Sequence, residues 1–197
     1  MSVLSEENRI KDVYKGRDRE VNIGFGSLFD IISSFYRDKA LYKFLKNNGI
    51  DSLKDKKIID FGCGTCGRLR ELTRFGAVSE NLYGVDLSEK RIAFCHDNFP
   101  SMNVNIGSCT NTDFPDDYFD IVINSTMMSS ILDDQVAHEI SGEMYRVLNK
   151  KSGAILWYDM RVNNPWNKNV RGYSKKDIKV LFPESDIVCK SISLPNR

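Results

Sequence analysis

Short apolar runs alternate along this chain with longer amphipathic stretches, and that alternation limits the fold more than any other feature. The runs Lys57–Phe61, Leu82–Asp86, Asn103–Ile106, Phe119–Asn124 and Ala154–Tyr158 have the length and composition of strands, and Ile187–Leu194 alternates as a sixth. Helical spacing separates them. Apolar positions recur from about Ser27 to Asn47, and again through Leu69 and Leu72 to about Gly76. Ser88 is placed to cap a third helix through Ile92, Cys95 and Phe99. Val136, Ile140, Met144 and Val147 line one face of a fourth, and Ser174-Lys-Lys-Asp177 reads as a capping box opening a fifth. Strands alternating with helices predict an α/β fold: a doubly wound, mostly parallel sheet with helices on both faces.

Composition narrows the functional classes. The 197 residues suit one domain, and 28 basic against 27 acidic side chains leave a net charge of +1. A general phosphate-backbone binder is usually clearly basic, so no nucleic-acid partner is expected. No apolar run reaches the ~18–20 residues of a membrane span. The start, Met1-Ser-Val-Leu-Ser-Glu-Glu, lacks the basic and apolar regions of a secretory signal. Five cysteines without framework spacing suit a reducing cytoplasm, the expected location.

The densest chemistry is Asp60-Phe-Gly62-Cys-Gly64-Thr-Cys-Gly67, between a strand and a helix. Glycines let the backbone turn tightly against a ligand, and a following helix offers free N–H groups to an anion. Gly62-x-Gly64-x-x-Gly67 also matches a dinucleotide fingerprint, with Asp86 about 20 residues further on. Asp60 argues against that reading, because a carboxylate repels a pyrophosphate and welcomes an ammonium. A segment of about 55 residues before the loop is also unusual for a nicotinamide domain.

Four segments in order resemble the class I (seven-strand) S-adenosylmethionine-dependent methyltransferases from about residue 10 to 195. They are Ile58–Thr65, Tyr83–Asp86, Phe114–Ile123, and Glu143–Leu148 leading into Gly153–Leu156. Ser129–Asp133 and Trp157–Pro165 resemble a bacterial subgroup linked to glycan biosynthesis. The resemblance implies S-adenosylmethionine as cofactor. It implies that Asp60 and the loop Gly62, Cys63 and Gly64 face the methionine moiety. Asp86 would accept from the ribose hydroxyls, with Leu87 beside the adenine. Ser108 and Cys109 would meet the adenine edge, and Asn124 and Ser125 would lie near the methyl-bearing sulfur. Two positions depart from the family pattern: Cys66 stands where a third glycine is usual, and Ser108 where an acid is common.

Other residues carry weaker expectations. Cys63-x-x-Cys66 has redox or zinc spacing but no further ligands at zinc intervals, and no metal is expected. His96 and His138 read as a packing residue and a solvent-facing one. Asp159, Arg161, Asn164 and Arg171 follow the fifth strand in a polar, aromatic-rich segment, so they are the substrate-side candidates, with Asp159 and Arg161 the candidates for catalysis. The bland alternative is that these groups pair with each other or with backbone. Tyr14, Arg17 and Phe25 fall where related proteins carry a lid.

The chain thus divides into a helical lid over 1–50, a cofactor core over 51–160 and a substrate-side segment over 161–197. The expected activity is methyl transfer to a small or glycan-linked acceptor, through oxygen. A silent binding or assembly domain and a nicotinamide oxidoreductase are the alternatives. The family's final antiparallel strand has no counterpart here. That suggests a missing C-terminal piece, and an open sheet edge through which a homodimer could form.

Overall fold

The computed structural model describes residues 2–15 and 28–192, apart from the side chains of Phe29 and Asp30. Two helices come first, α1 (Val3–Lys15) and α2 (Leu28–Asn47). Then follow β1 (Ile58–Phe61), α3 (Gly67–Thr73), β2 (Leu82–Asp86), α4 (Glu89–Asn98) and β3 (Asn103–Ile106). The second half holds β4 (Ile121–Ser125), α5 (Asp134–Val147), β5 (Ala154–Tyr158) and α6 (Lys175–Leu181).

The five strands pair in the order β3-β2-β1-β4-β5, and every pair is parallel. Parallel strands in such a sheet are covered on both faces, which is why β1 reads as a continuous apolar run. Ile58 points to the side of α2, α3 and α4, among Leu41, Leu45, Leu69, Leu72, Ile92 and Cys95. Ile59 and Phe61 point the other way, among Val136, Ile140 and Met144 of α5 and Ile178 of α6. The chain builds β1, β2 and β3 in one direction and then returns to lay β4 on the other side of β1. Ligands in open α/β sheets bind at such a reversal, outside the carboxyl ends of the strands.

Local signals formed as expected. The Ser88 hydroxyl caps α4 by accepting from the Arg91 N–H, and Ser174 and Asp177 make both bonds of the capping box at α6. No helix joins β3 to β4. The connection is tied to α5 by buried Glu143, which accepts from the N–H and hydroxyl of Thr112 at 2.6 and 2.5 Å. Arg146 then bridges Glu143 and Asp116.

The sixth strand is a correction. Residues 187–192 form no strand, Val188 is exposed, and Leu194 lies outside the described residues. Alternation sets which face a strand would bury, but a strand persists only when a neighbouring edge and a packing layer reward it. Among the described residues the outer edge of β5 is unpaired, so the open edge comes one strand earlier than the sequence suggested. Ser27, expected to open α2, and the lid candidates Arg17 and Phe25 also lie outside the described residues. Among the described residues no helix is long and apolar enough to cross a membrane.

Candidate active site

The carboxyl ends of β1 and β2 bring the glycine loop and two acids together. Gly62 and Gly64 have φ of 72° and 54°, the left-handed region that glycine enters without steric cost. A Cβ on Gly62 would fall 2.3 Å from Met127 Cγ, so the loop also needs that position bare. A Cβ on Gly84 of β2 would meet the Cys63 thiol at 2.7 Å, which explains the glycine within Tyr83–Asp86. Cys66 holds φ of 61° with its side chain buried, so the departure from glycine is accommodated at a strained position. Its thiol bonds with those of Cys63 and Cys95, and the bond to Cys63 pushes its pKa up. Such thiols are packing groups rather than nucleophiles. Among the described residues no His, Cys, Asp or Glu cluster is arranged to hold a metal ion.

Asp86 anchors the loop. Its Oδ2 accepts from the Gly64 N–H and its Oδ1 from the Ser88 N–H, both at 2.9 Å. A carboxylate has about four acceptor sites, so two remain for hydroxyls. Asp60 is the opposite case. It is 2% exposed, and its Oδ1 has no hydrogen-bond partner. Burial pushes its carboxyl up to about 8, with Arg68 opposing the shift and Asp86 reinforcing it. An orphaned buried oxygen costs roughly 1–3 kcal/mol, and an incoming ammonium removes that cost. The residues present therefore fit a sulfonium amino-acid cofactor.

On the adenine side, Leu87 and Ser108 are half-buried and Cys109 is buried. The Ser108 hydroxyl closes a local turn with Thr110, at 2.7 Å to its hydroxyl. Burial holds the Cys109 thiol protonated, well above its ordinary range.

The ends of β4 and β5 are organised around Asp159. Its Oδ2 accepts from Asn124 Nδ2 at 3.2 Å and from the Ser129 N–H at 2.9 Å, while Oδ1 takes the Met160 N–H at 2.8 Å. Asn124 is fully buried and also accepts from the Met128 N–H, so its amide is a strut between two strand ends. Ser125 instead turns its hydroxyl toward Arg68, 3.4 Å away. Thr126, just beyond, sits at φ 60°, a costly conformation for a β-branched residue and of the kind found at functional sites.

The other substrate-side candidates mostly hold their own loop. Arg171 bonds to Asp134 and the Tyr173 hydroxyl, and its backbone N–H donates to the Ser129 carbonyl. Asn164 accepts from the Trp166 N–H. Arg161 is exposed and reaches Ser191. Trp166, 92% exposed, stands at the tip of the segment. His96 bonds to the Val104 carbonyl at 2.8 Å, and His138 is exposed.

Helix α1 reaches across this edge of the sheet. Glu6 is completely buried; it pairs with Arg9 at 2.8 Å and accepts from the Leu132 N–H at 2.6 Å. Arg9 donates to the Ser130 carbonyl, and the Tyr14 hydroxyl lies 2.9 Å from the Ser130 hydroxyl. The Tyr14 ring sits beneath the Arg91 guanidinium, 4.7 Å from its centroid, at the start of α4. One helix thus touches both walls of the cleft, the β2–α4 side and the segment after β4. Sequence reasoning missed Glu6, Arg68 and Met127. Arg68 had a usable signal, a basic residue directly after the glycine loop. Glu6 had none, because its partners lie more than a hundred residues away.

Comparison with known proteins fits this geometry. Residues 58–151 match the family described as Methyltransferase domain. No curated protein matches the sequence. Among solved structures, the PH0226 protein from Pyrococcus horikoshii is 20% identical, with 86% of this chain and 87% of that chain covered at a TM-score of 0.64. A SAM-dependent methyltransferase from Methanosarcina mazei is 17% identical, with coverage of 73% and 84% and a TM-score of 0.60. Another from Archaeoglobus fulgidus is 18% identical, with coverage of 80% and 73% and a TM-score of 0.56. The chain is built on the class I methyltransferase fold, and its residues 58–151 form an S-adenosylmethionine-dependent methyltransferase domain.

Proposed function

We propose that the protein transfers a methyl group to a small or glycan-linked acceptor entering beside Ser125, Thr126 and Tyr158. The observation that carries the site reading is Asp60, a buried carboxylate with an orphaned oxygen beneath a glycine loop. Asp60 and the loop backbone of Gly62, Cys63 and Gly64 would hold the methionine end. Asp86 would take the ribose hydroxyls, and Leu87, Ser108 and Cys109 would border the adenine. When bound, S-adenosylmethionine supplies a methyl group already activated on sulfur. The protein then has to align the acceptor and exclude water, and α1 is placed for the second task.

The oxygen acceptor expected from the sequence would need a base at the β4–β5 mouth. Asp159 is committed to Asn124, Ser129 and Met160, so an amine, which enters as its own free base, suits the described residues better. Arg161 and Trp166 are the exposed groups of the substrate-side segment, and an acceptor would meet them first.

Calorimetric titration with S-adenosylhomocysteine tests the reading. Binding should occur in the micromolar range, NAD should not bind, and Asp86→Ala should weaken affinity by about 1–3 kcal/mol. Binding of NAD in place of S-adenosylhomocysteine would overturn it. Radiolabelled methyl transfer to amines, but not to sugar hydroxyls, is the expected acceptor pattern. A homodimer through the unpaired edge of β5 belongs to the same proposal. Light scattering that returns only the 22.5 kDa monomer at high micromolar concentration would refute it.

A further inference from the structure

Three buried side-chain atoms have no hydrogen-bond partner among the described residues: Asp60 Oδ1, Arg37 Nε and Ser33 Oγ. Native interiors rarely leave such atoms unpaired without a reason. Here they gather around one chain of charges. Arg68 on α3 pairs with Glu71 Oε2, and Arg37 on α2 pairs with the other Glu71 oxygen at 3.1 Å. Ser33 lies one helical turn before Arg37. Both Arg68 and Glu71 act electrostatically on Asp60. The side chains of Arg68, Glu71 and Arg37 are 11%, 20% and 23% exposed, so this is an interior cluster and not a solvated surface pair.

The cluster reaches the cofactor site through Arg68. Its Nη2 lies 3.4 Å from the Ser125 hydroxyl at the end of β4, a distance too long for a strong bond. Its guanidinium sits over the Tyr158 ring, 5.4 Å from the centroid, at the end of β5. A guanidinium held at a strand-end cleft with donors to spare suits a carboxylate, which it can grip with two parallel bonds. Asp60, at the end of β1, offers the complementary acceptor. A ligand carrying ammonium and carboxylate on one carbon answers both groups at once.

We infer that Arg68 binds the carboxylate of the cofactor's amino-acid end, opposite Asp60, and that Glu71 changes partner when it does so. Glu71 now holds Arg68 with one oxygen and Arg37 with the other. When a ligand carboxylate takes Arg68, Glu71 is released to grip Arg37 through both Nε and Nη2. Asp60 Oδ1 then meets the ammonium, and Arg37 Nε meets Glu71, so two of the three orphaned atoms are satisfied in one exchange. Arg68 is a binding residue, while Glu71 and Arg37 are positioning residues. The inference rests on the cofactor reading above, and the amino-acid end is its only new element.

Calorimetry with three ligands separates the two. S-adenosylhomocysteine carries the whole amino acid, its decarboxylated analogue lacks the carboxylate, and 5′-methylthioadenosine lacks the amino acid. The wild-type protein should prefer S-adenosylhomocysteine to the decarboxylated analogue by at least tenfold. Arg68→Gln should abolish that preference, weakening S-adenosylhomocysteine about tenfold to hundredfold and leaving 5′-methylthioadenosine within about twofold. Retained binding of 5′-methylthioadenosine also shows that the variant folds. Arg68→Lys should recover part of the preference. Equal wild-type affinity for the first two ligands overturns the inference without any variant. A parallel loss of all three in Arg68→Gln also overturns it, because that marks a purely structural role. Failure of the wild-type protein to bind any of the three overturns the cofactor reading itself.

Discussion

Asp60→Asn should lower affinity for S-adenosylhomocysteine about tenfold to hundredfold, the loss of one charge-assisted bond to an ammonium, and should stabilise the ligand-free protein in alkali. The sign follows from the direction of the shift. Burial raises the Asp60 carboxyl from its ordinary 3.8 to about 8. Between about pH 4 and pH 8 the folded protein therefore keeps a proton that the unfolded chain has released. The stability tied to that proton is fully present below about pH 4 and is lost as pH rises through 8, on the order of a few kcal/mol. Asparagine carries no such proton, so urea unfolding of the variant should lose this decline between pH 5 and 8.5. A bound cation favours the ionised carboxylate. Binding at pH 7 should then expel close to one proton from the wild-type protein and none from the variant. Calorimetry in buffers of different ionisation enthalpy reads this directly. Equal proton release from the two proteins would show that Asp60 does not face the ligand's positive end.

The second large effect is expected at α1. Glu6→Ala leaves Arg9 and the Leu132 N–H without their buried acceptor. Removing one partner of a fully buried pair costs 3–5 kcal/mol, and the partial exposure of Arg9 reduces this to about 2–4. Because α1 is terminal, the cost should be felt as undocking of the helix and not as loss of the whole fold. Amides of residues 3–15 should exchange at least tenfold faster, and S-adenosylhomocysteine should dissociate at least tenfold faster, with β1 and β4 amides unchanged. The exposed pair Asp12–Lys15 is the control, and Lys15→Ala should alter stability by less than about 0.5 kcal/mol. Burial alone would raise the Glu6 carboxyl, but bonds from Arg9 and Leu132 outweigh it and hold it below the ordinary 4.5. The docking energy is thus present above about pH 4.5 and lost as pH falls through the lowered value. An unchanged dissociation rate in Glu6→Ala would mean that α1 does not retain the ligand.

What the residues announce and what the fold arranges divide along one physical line. The five core strands, the Ser88 cap, the Ser174–Asp177 box and the glycine loop depend on periodicity and on contacts within a few residues, and all could be read directly. Asp60, Asp86, Ser125 and the strand-end position of the site follow from that reading, because a parallel sheet puts its carboxyl ends together. Asn124 and Asp159 meet across 35 positions, and Glu6 finds Leu132 across 126, so no local pattern encodes either pair. Those long-range partners decide that Asp159 is a strut and that α1 spans the cleft. The same holds for the chain Asp60–Arg68–Glu71–Arg37, whose members lie on three elements and look like ordinary charged residues in the sequence. Ile187–Leu194 fails for the converse reason. Its alternation is local, but a strand exists only where an edge and a packing layer receive it, and only the assembled sheet supplies those. Local chemistry therefore chose the scaffold and the place of the site. Burial, which removes water from groups far apart in sequence, decided which charges are satisfied and which still await a ligand.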